Sequence, residues 1–175
     1  MRHTWKTIPA VKVLLFCRHN IVILLLSKLT KRTGAFMSTA HWEHFEHEAD
    51  MGVRGIGHTL ASAFEQAALA MSAIITDLSL IEPREEINII CEEADQELLF
   101  ADWLNALIFE MSTRNMLFSQ FEVFIENGRL IAKAWGEPIN VKRHQPAVEI
   151  KGATYTELAV HRSQDQWVAQ CVVDV

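Results

Sequence analysis

Cysteine is scarce in this chain, and the little there is does not look like a staple. Cys17, Cys91 and Cys171 are widely spaced and contain no Cys-x-x-Cys pair. That argues against a disulfide framework and against a thiolate zinc site. Cys91 and Cys171 lie in apolar, strand-like runs and read as small buried hydrophobes. Acidic residues are missing altogether from residues 1–36, which hold seven Lys and Arg. Basic residues are then few: residues 37–175 carry nine against all 22 Asp and Glu, a net charge of −13. A body this acidic repels phosphate backbones, so direct nucleic-acid binding is not expected, whereas a cation or a basic partner is. Long apolar runs are absent too. Lys12 and Arg18-His19-Asn20 interrupt the apolar patches Val11–Cys17 and Ile21–Leu26, so none reaches the roughly 18 residues of a membrane span. There is no G-x-S-x-G, no P-loop and no G-x-G-x-x-G, and Gly55-Ile56-Gly57 is too short to carry meaning. No internal repeat or low-complexity segment is visible.

The composition changes abruptly at Met37. Residues 1–36 fit neither a signal peptide, for want of an unbroken apolar core, nor a Ser-rich transit peptide. They read best as a misassigned start, a basic extension outside the fold. The expected domain is 37–175, large enough for a core without staples.

Within that domain the pattern predicts α+β. Trp42–Glu46 and Met51–Ile56 alternate as strands. Thr59 is a good N-cap, and Leu60, Ala63, Phe64, Ala67, Met71, Ile74, Ile75 and Leu78 form one apolar helical face ending near Asp77. Glu86–Glu92 is a strand, and Asp95 caps a second helix carrying Leu98, Leu99, Trp103, Leu104, Leu107, Ile108 and Met111. Phe121–Ile125 and Leu130–Trp135 flank Asn127-Gly128, a strong hairpin signal. Val141–Pro146 reads as a basic loop. Val148–Ile150, Tyr155–His161 and Trp167–Val173 read as strands. The expected architecture is a single two-layer domain, a mostly antiparallel sheet with two helices on one face.

The chemistry concentrates at two places. Residues 41–50 hold His41, His44, His47 and the carboxylates Glu43, Glu46, Glu48 and Asp50. If this stretch is a strand, His41 and His47 face one way and His44 the other, so three rings cannot converge on zinc. If it is helical they could. The second place is the last strand, which runs into Asp174-Val175 with no polar tail. Asp174 and the terminal carboxylate of Val175 are neighbours by covalent geometry. Their repulsion would be relieved by a hard cation, which prefers oxygen ligands, and Asp50 could supply a third carboxylate. The plainer alternative is a solvated terminus. Lys151 is either a strand-edge lysine or a cation for a phosphate or nearby acids. Glu97 and Asp102 read as solvated helix charges.

Several stretches together resemble the archease family: His47-Glu48-Ala49-Asp50-Met51-Gly52, Thr59-Leu60 with Ala63–Met71, Thr76-Asp77-Leu78, Asp102-Trp103-Leu104-Asn105, Gly136-Glu137, Glu149–Tyr155 and Val172-Val173-Asp174-Val175. They occur in the family's order over residues 41–175. The resemblance implies a cytoplasmic accessory protein, not itself an enzyme, for the RtcB-type RNA ligase of tRNA splicing or RNA repair. It would promote the ligase's guanylylation and multiple turnover. It implies a divalent cation, Ca²⁺ before Mg²⁺ or Mn²⁺, on Asp50, Asp174 and Val175, and a functional lysine at Lys151, with His47 beside them. Two departures stand out: Glu48 replaces the family's usual Thr, and the first helix lacks acids in its first turn. A metal-dependent phosphoester hydrolase acting alone, with Asp50, Asp174 and His47, and a chaperone-like binding module are the other readings.

Overall fold

The computed structural model describes residues 39–175; the reading of residues 1–36 lies outside them. The chain enters through a hairpin of β1 (His41–His47) and β2 (Asp50–Gly57), turning at Glu48 with φ 50°. Helix α1 (Leu60–Ile75) follows, with the Thr59 hydroxyl accepting from the Ser62 N–H at 3.0 Å. That bond satisfies one of the four free N–H groups of the first turn without help from an acid. A short 3-10 turn (Leu78–Leu80) leads to β3 (Glu85–Glu92). Helix α2 (Gln96–Arg114) starts at Asp95, whose carboxylate accepts from Glu97 and Leu98, and ends at Asn115 in the left-handed region. Strands β4 (Met116–Glu126) and β5 (Arg129–Pro138) form the expected hairpin, with Asn127 and Gly128 both at positive φ.

The remainder is β6 (Gly152–Ala153), β7 (Ala159–Ser163) and β8 (Gln166–Asp174), after a one-turn helix α3 (Val141–His144). Here the structure departs from the pattern. The basic stretch at 141 is helical because Asn140 caps it, accepting from the Arg143 N–H. Residues 148–150 are not a strand and pair with none. The strand expected from Tyr155 begins only at Ala159, because Glu157 takes φ 53° and residues 155–158 turn.

The fold is α+β and every strand pair is antiparallel. The strands form two sheets rather than one. The five-stranded sheet runs β1-β2-β8-β6, with β7 also paired to β8, and the three-stranded sheet runs β3-β5-β4. Both helices touch both sheets, and one apolar cluster takes in Val53, Phe64, Met71, Phe100, Trp103, Leu130, Ala132 and Cys171 from all of them. Alternation in sequence tells which face a residue occupies, not which strand it bonds to, so a division into two sheets is invisible to it. Helix α1 reaches the sheet at backbone distance because Gly55 has no side chain: a Cβ there would sit 2.0 Å from the Ala63 carbonyl and 2.3 Å from the Ala67 nitrogen. Among the described residues no helix is long and apolar enough to cross a membrane.

Candidate metal and partner site

The site is built from strand register. At the β1–β2 turn His47 pairs with Asp50. On the next strand Met51 pairs with Val173, so the step outward sets Asp50 opposite Asp174. On the far side of β8, Gly152 pairs with Asp174. Directly opposed residues in an antiparallel pair project to the same face. His47, Asp50 and Asp174 therefore form one cross-strand row. Val53 and Cys171, of opposite parity, point into the core, so the row lies on the sheet face away from the helices. In the same way β1 sends His44 to the helix side, where its ring Nε2 donates to the Ala70 carbonyl at 2.7 Å. The strand thus separates His44 from His41 and His47. Phe45 covers this outer face, its ring occupying the space where a Gly52 side chain would stand.

Lys151 closes the row. Its main-chain N–H donates to the Asp174 carbonyl at 2.9 Å. Its ammonium donates to the main-chain oxygen of Val175 at 2.9 Å and lies 3.6 Å from an Asp174 carboxylate oxygen. Both side chains are at least half exposed, so the ion pair is weak and open to exchange. The structure thus brings together His47, Asp50, Asp174, Val175 and Lys151 at the ends of four neighbouring segments.

Whether these groups suit a divalent cation can be judged from the donors. Among the described residues no three His, Cys, Asp or Glu side chains converge, so an all-side-chain cage is not what the row offers. It offers two carboxylates and a main-chain oxygen, a set that a hard cation accepts while water completes its shell. Beside them, His47 Nδ1 is buried and has no hydrogen-bond partner. A buried orphan of this kind calls for an explanation, and a role as a ligand or near neighbour of a cation is one. The donor set fits.

Two supports of this site were not evident in the sequence. The first is Asn105 on α2. Its side-chain oxygen accepts from the Ala153 N–H at 2.9 Å while its NH₂ donates to the Ala153 and Ala101 carbonyls at 3.2 and 3.0 Å. The amide thereby acts as a neighbouring strand for the two-residue β6 and fixes the backbone next to Lys151. The second is a buried charge cluster at the end of β5. Glu137, 2% exposed, accepts from the Glu82 N–H at 2.7 Å and from His144 Nε2 at 3.2 Å, and pairs with Arg143. Because His144 Nδ1 accepts from the Asn140 N–H, the proton sits on Nε2 and the ring donates to Glu137 as a neutral group. Burial pushes the Glu137 carboxyl up, but Arg143, the Glu82 N–H and His144 outweigh it and hold the value down at about 2. The Thr76 hydroxyl donates to the His144 carbonyl, and Ala147 N–H donates to the Ile75 carbonyl at 2.8 Å. These bonds fasten the segment that delivers Ile150 and Lys151. A sequence signal existed for Glu137: it follows Gly136 at the close of an apolar strand, where a carboxylate needs partners.

Residues 42–175 match the Archease protein family. The chain is 40% identical over 139 residues to the protein archease of Pyrococcus furiosus, covering 77% of this chain and 98% of the relative. The Thermococcus gammatolerans protein archease matches at the same identity and coverage. The solution structure of Methanobacterium thermoautotrophicum protein 1598 is similar as well, with a TM-score of 0.69, 34% identity, and coverage of 77% of this chain and 98% of that one.

Proposed function

The chain belongs to the archease family, and on that premise we propose that it is a metal-binding accessory protein that activates an RtcB-type RNA ligase, promoting guanylylation and repeated turnover of the ligase. The observation that carries this reading is the row of Asp50 and Asp174 with Lys151 bound to the Asp174 backbone and to the Val175 oxygen. Asp50, Asp174 and Val175 would hold the divalent cation, Ca²⁺ by donor chemistry. When bound, such a cation supplies positive charge for phosphate oxygens.

The chain's own residues do the rest. The two carboxylates neutralise and orient, held side by side by the paired ends of β2 and β8. Lys151 balances Asp174 and Val175 until a stronger cation arrives, and its long side chain can then turn toward a phosphate. Asn105 keeps the Lys151 backbone in register while it does so. The net acidity of residues 37–175 favours approach to a ligase surface that must itself be basic to grip RNA.

The test is a titration of the protein into ligase and GTP, with guanylylated ligase as the readout. Wild type should accelerate its formation, and Asp50→Ala, Asp174→Ala and Lys151→Ala should not. Equal acceleration by all four proteins would overturn the reading.

A further inference from the structure

The solvent face of the three-stranded sheet does not follow the usual pattern for an exposed antiparallel sheet, polar on the outside throughout. Its register sets Ile90 opposite Ile131 and Ile131 opposite Phe124. The three side chains are 57%, 41% and 59% exposed, a continuous apolar row across all three strands. On one side of it lies the row Glu92, Arg129, Glu126; on the other lie Asn88, Lys133, Glu122 and then Glu86, Trp135, Gln120. Arg129 is paired with Glu92 at 3.2 Å and Lys133 with Glu86 at 3.1 Å. Glu122 and Glu126 have no ion-pair partner among the described residues. An apolar centre inside a charged rim is the anatomy of a protein interface, and the charge left over on this one is negative.

That charge decides between occupants. Two copies of this face could pack with sheets aligned about a two-fold axis in the sheet plane. An axis along the apolar row would set Arg129 over Lys133 and Glu126 over Glu122. An axis along β5 would set Glu92 over Glu126 and Arg129 over itself. Both oppose like charges, so self-association is disfavoured. The same excess of Glu repels nucleic acid. Size decides the rest. Three strands about 4.8 Å apart and four rows about 6.8 Å apart give a face of roughly 400 Å². That is about half of the ~800 Å² that each partner of a stable complex contributes, so the complex is a reversible one.

We propose that this face, centred on Ile90, Ile131 and Phe124, docks a protein surface whose apolar centre is flanked by Lys or Arg. The proposal stands apart from the Asp50–Asp174 row and does not rest on its function. The probe is a synthetic peptide alternating Lys and Leu, titrated into the full chain while NMR follows the Ile methyl and Phe ring signals. Two controls have Glu in place of Lys and Ser in place of Leu. Saturable shifts of Ile90, Ile131 and Phe124 with the Lys–Leu peptide, and none with either control, are expected. Ile131→Asp should weaken binding about tenfold or more, and the double change Glu122→Lys, Glu126→Lys should do so while leaving the apolar row intact. Shifts centred elsewhere, equal binding of the Glu–Leu peptide, or unaltered affinity in both variants would overturn the proposal. So would a wild-type dimer in sedimentation that Ile131→Asp disperses, which would make the occupant a second copy. Equivalent shifts with a single-stranded RNA oligonucleotide would overturn it in favour of nucleic acid.

Discussion

Lys151 is joined to Asp174 twice, by its main-chain N–H to the Asp174 carbonyl at 2.9 Å and by its ammonium 3.6 Å from the carboxylate. The first bond holds the backbone whatever the side chain does. The second is exposed and exchangeable. On the proposed reading, a lysine in this position would compete with a bound cation for the same oxygens.

The competition gives a prediction with a definite sign. Lys151→Ala removes a positive charge beside Asp174 and Val175, so Ca²⁺ binding should tighten. A surface pair is worth up to about 1 kcal/mol, or about fivefold in Kd. Asp174→Ala should abolish binding. Calorimetric titration of the two variants against wild type checks both; weaker Ca²⁺ binding by Lys151→Ala would contradict the arrangement.

Asn105→Ala should leave the Ala153 N–H and C=O to water and release β6. The expected loss is about 1–3 kcal/mol of stability. Hydrogen exchange should show it locally, with the amides of Lys151 and Thr154 losing protection before the α2 core. Asn105→Asp keeps the acceptor but not the donor and should fall between.

Glu137 predicts a pH dependence. Its carboxyl is held at about 2 in the folded chain against an ordinary value of 4.5. A depressed acid contributes stability that is fully present above the unfolded value and is lost as pH falls through the folded one. Wild type should therefore lose this contribution between about pH 4.5 and pH 2. Glu137→Gln should be less stable at pH 7 by about 3 kcal/mol, since it leaves Arg143 without its buried partner, and its stability should fall less steeply with acid. Chemical denaturation across that range measures both.

Gly55→Ala tests the packing that sets β2 under α1. The added Cβ would meet the Ala63 carbonyl and the Ala67 nitrogen, both backbone, which cannot rotate aside. A loss of about 3 kcal/mol, the upper end of overpacking costs, is expected in thermal or denaturant unfolding.

Much of this was legible in the sequence, and the rest was hidden for physical reasons. The caps Thr59 and Asp95 and the Asn127-Gly128 turn are local chemistry, and the structure has each of them. The separation of His44 from His41 and His47 followed from a period of two. Asp50 and Asp174 could be seen as strand-end acids, but that β2 and β8 are neighbours is a long-range fact that no local pattern carries. Asn105 stands in one of the family-like stretches but shows no role there; only the tertiary position of β6 gives it work. His144 sat in a stretch read as a polar loop, because a helix of four residues is too short to show a period.

The most direct test of the central claim is ligase turnover. The number of RNA joints made per ligase molecule, with GTP present, should rise well above one when wild-type protein is added. With Asp50→Ala or Asp174→Ala it should stay at one or below, the same as in a control reaction lacking the protein. Multiple turnover supported equally by both variants would contradict the account.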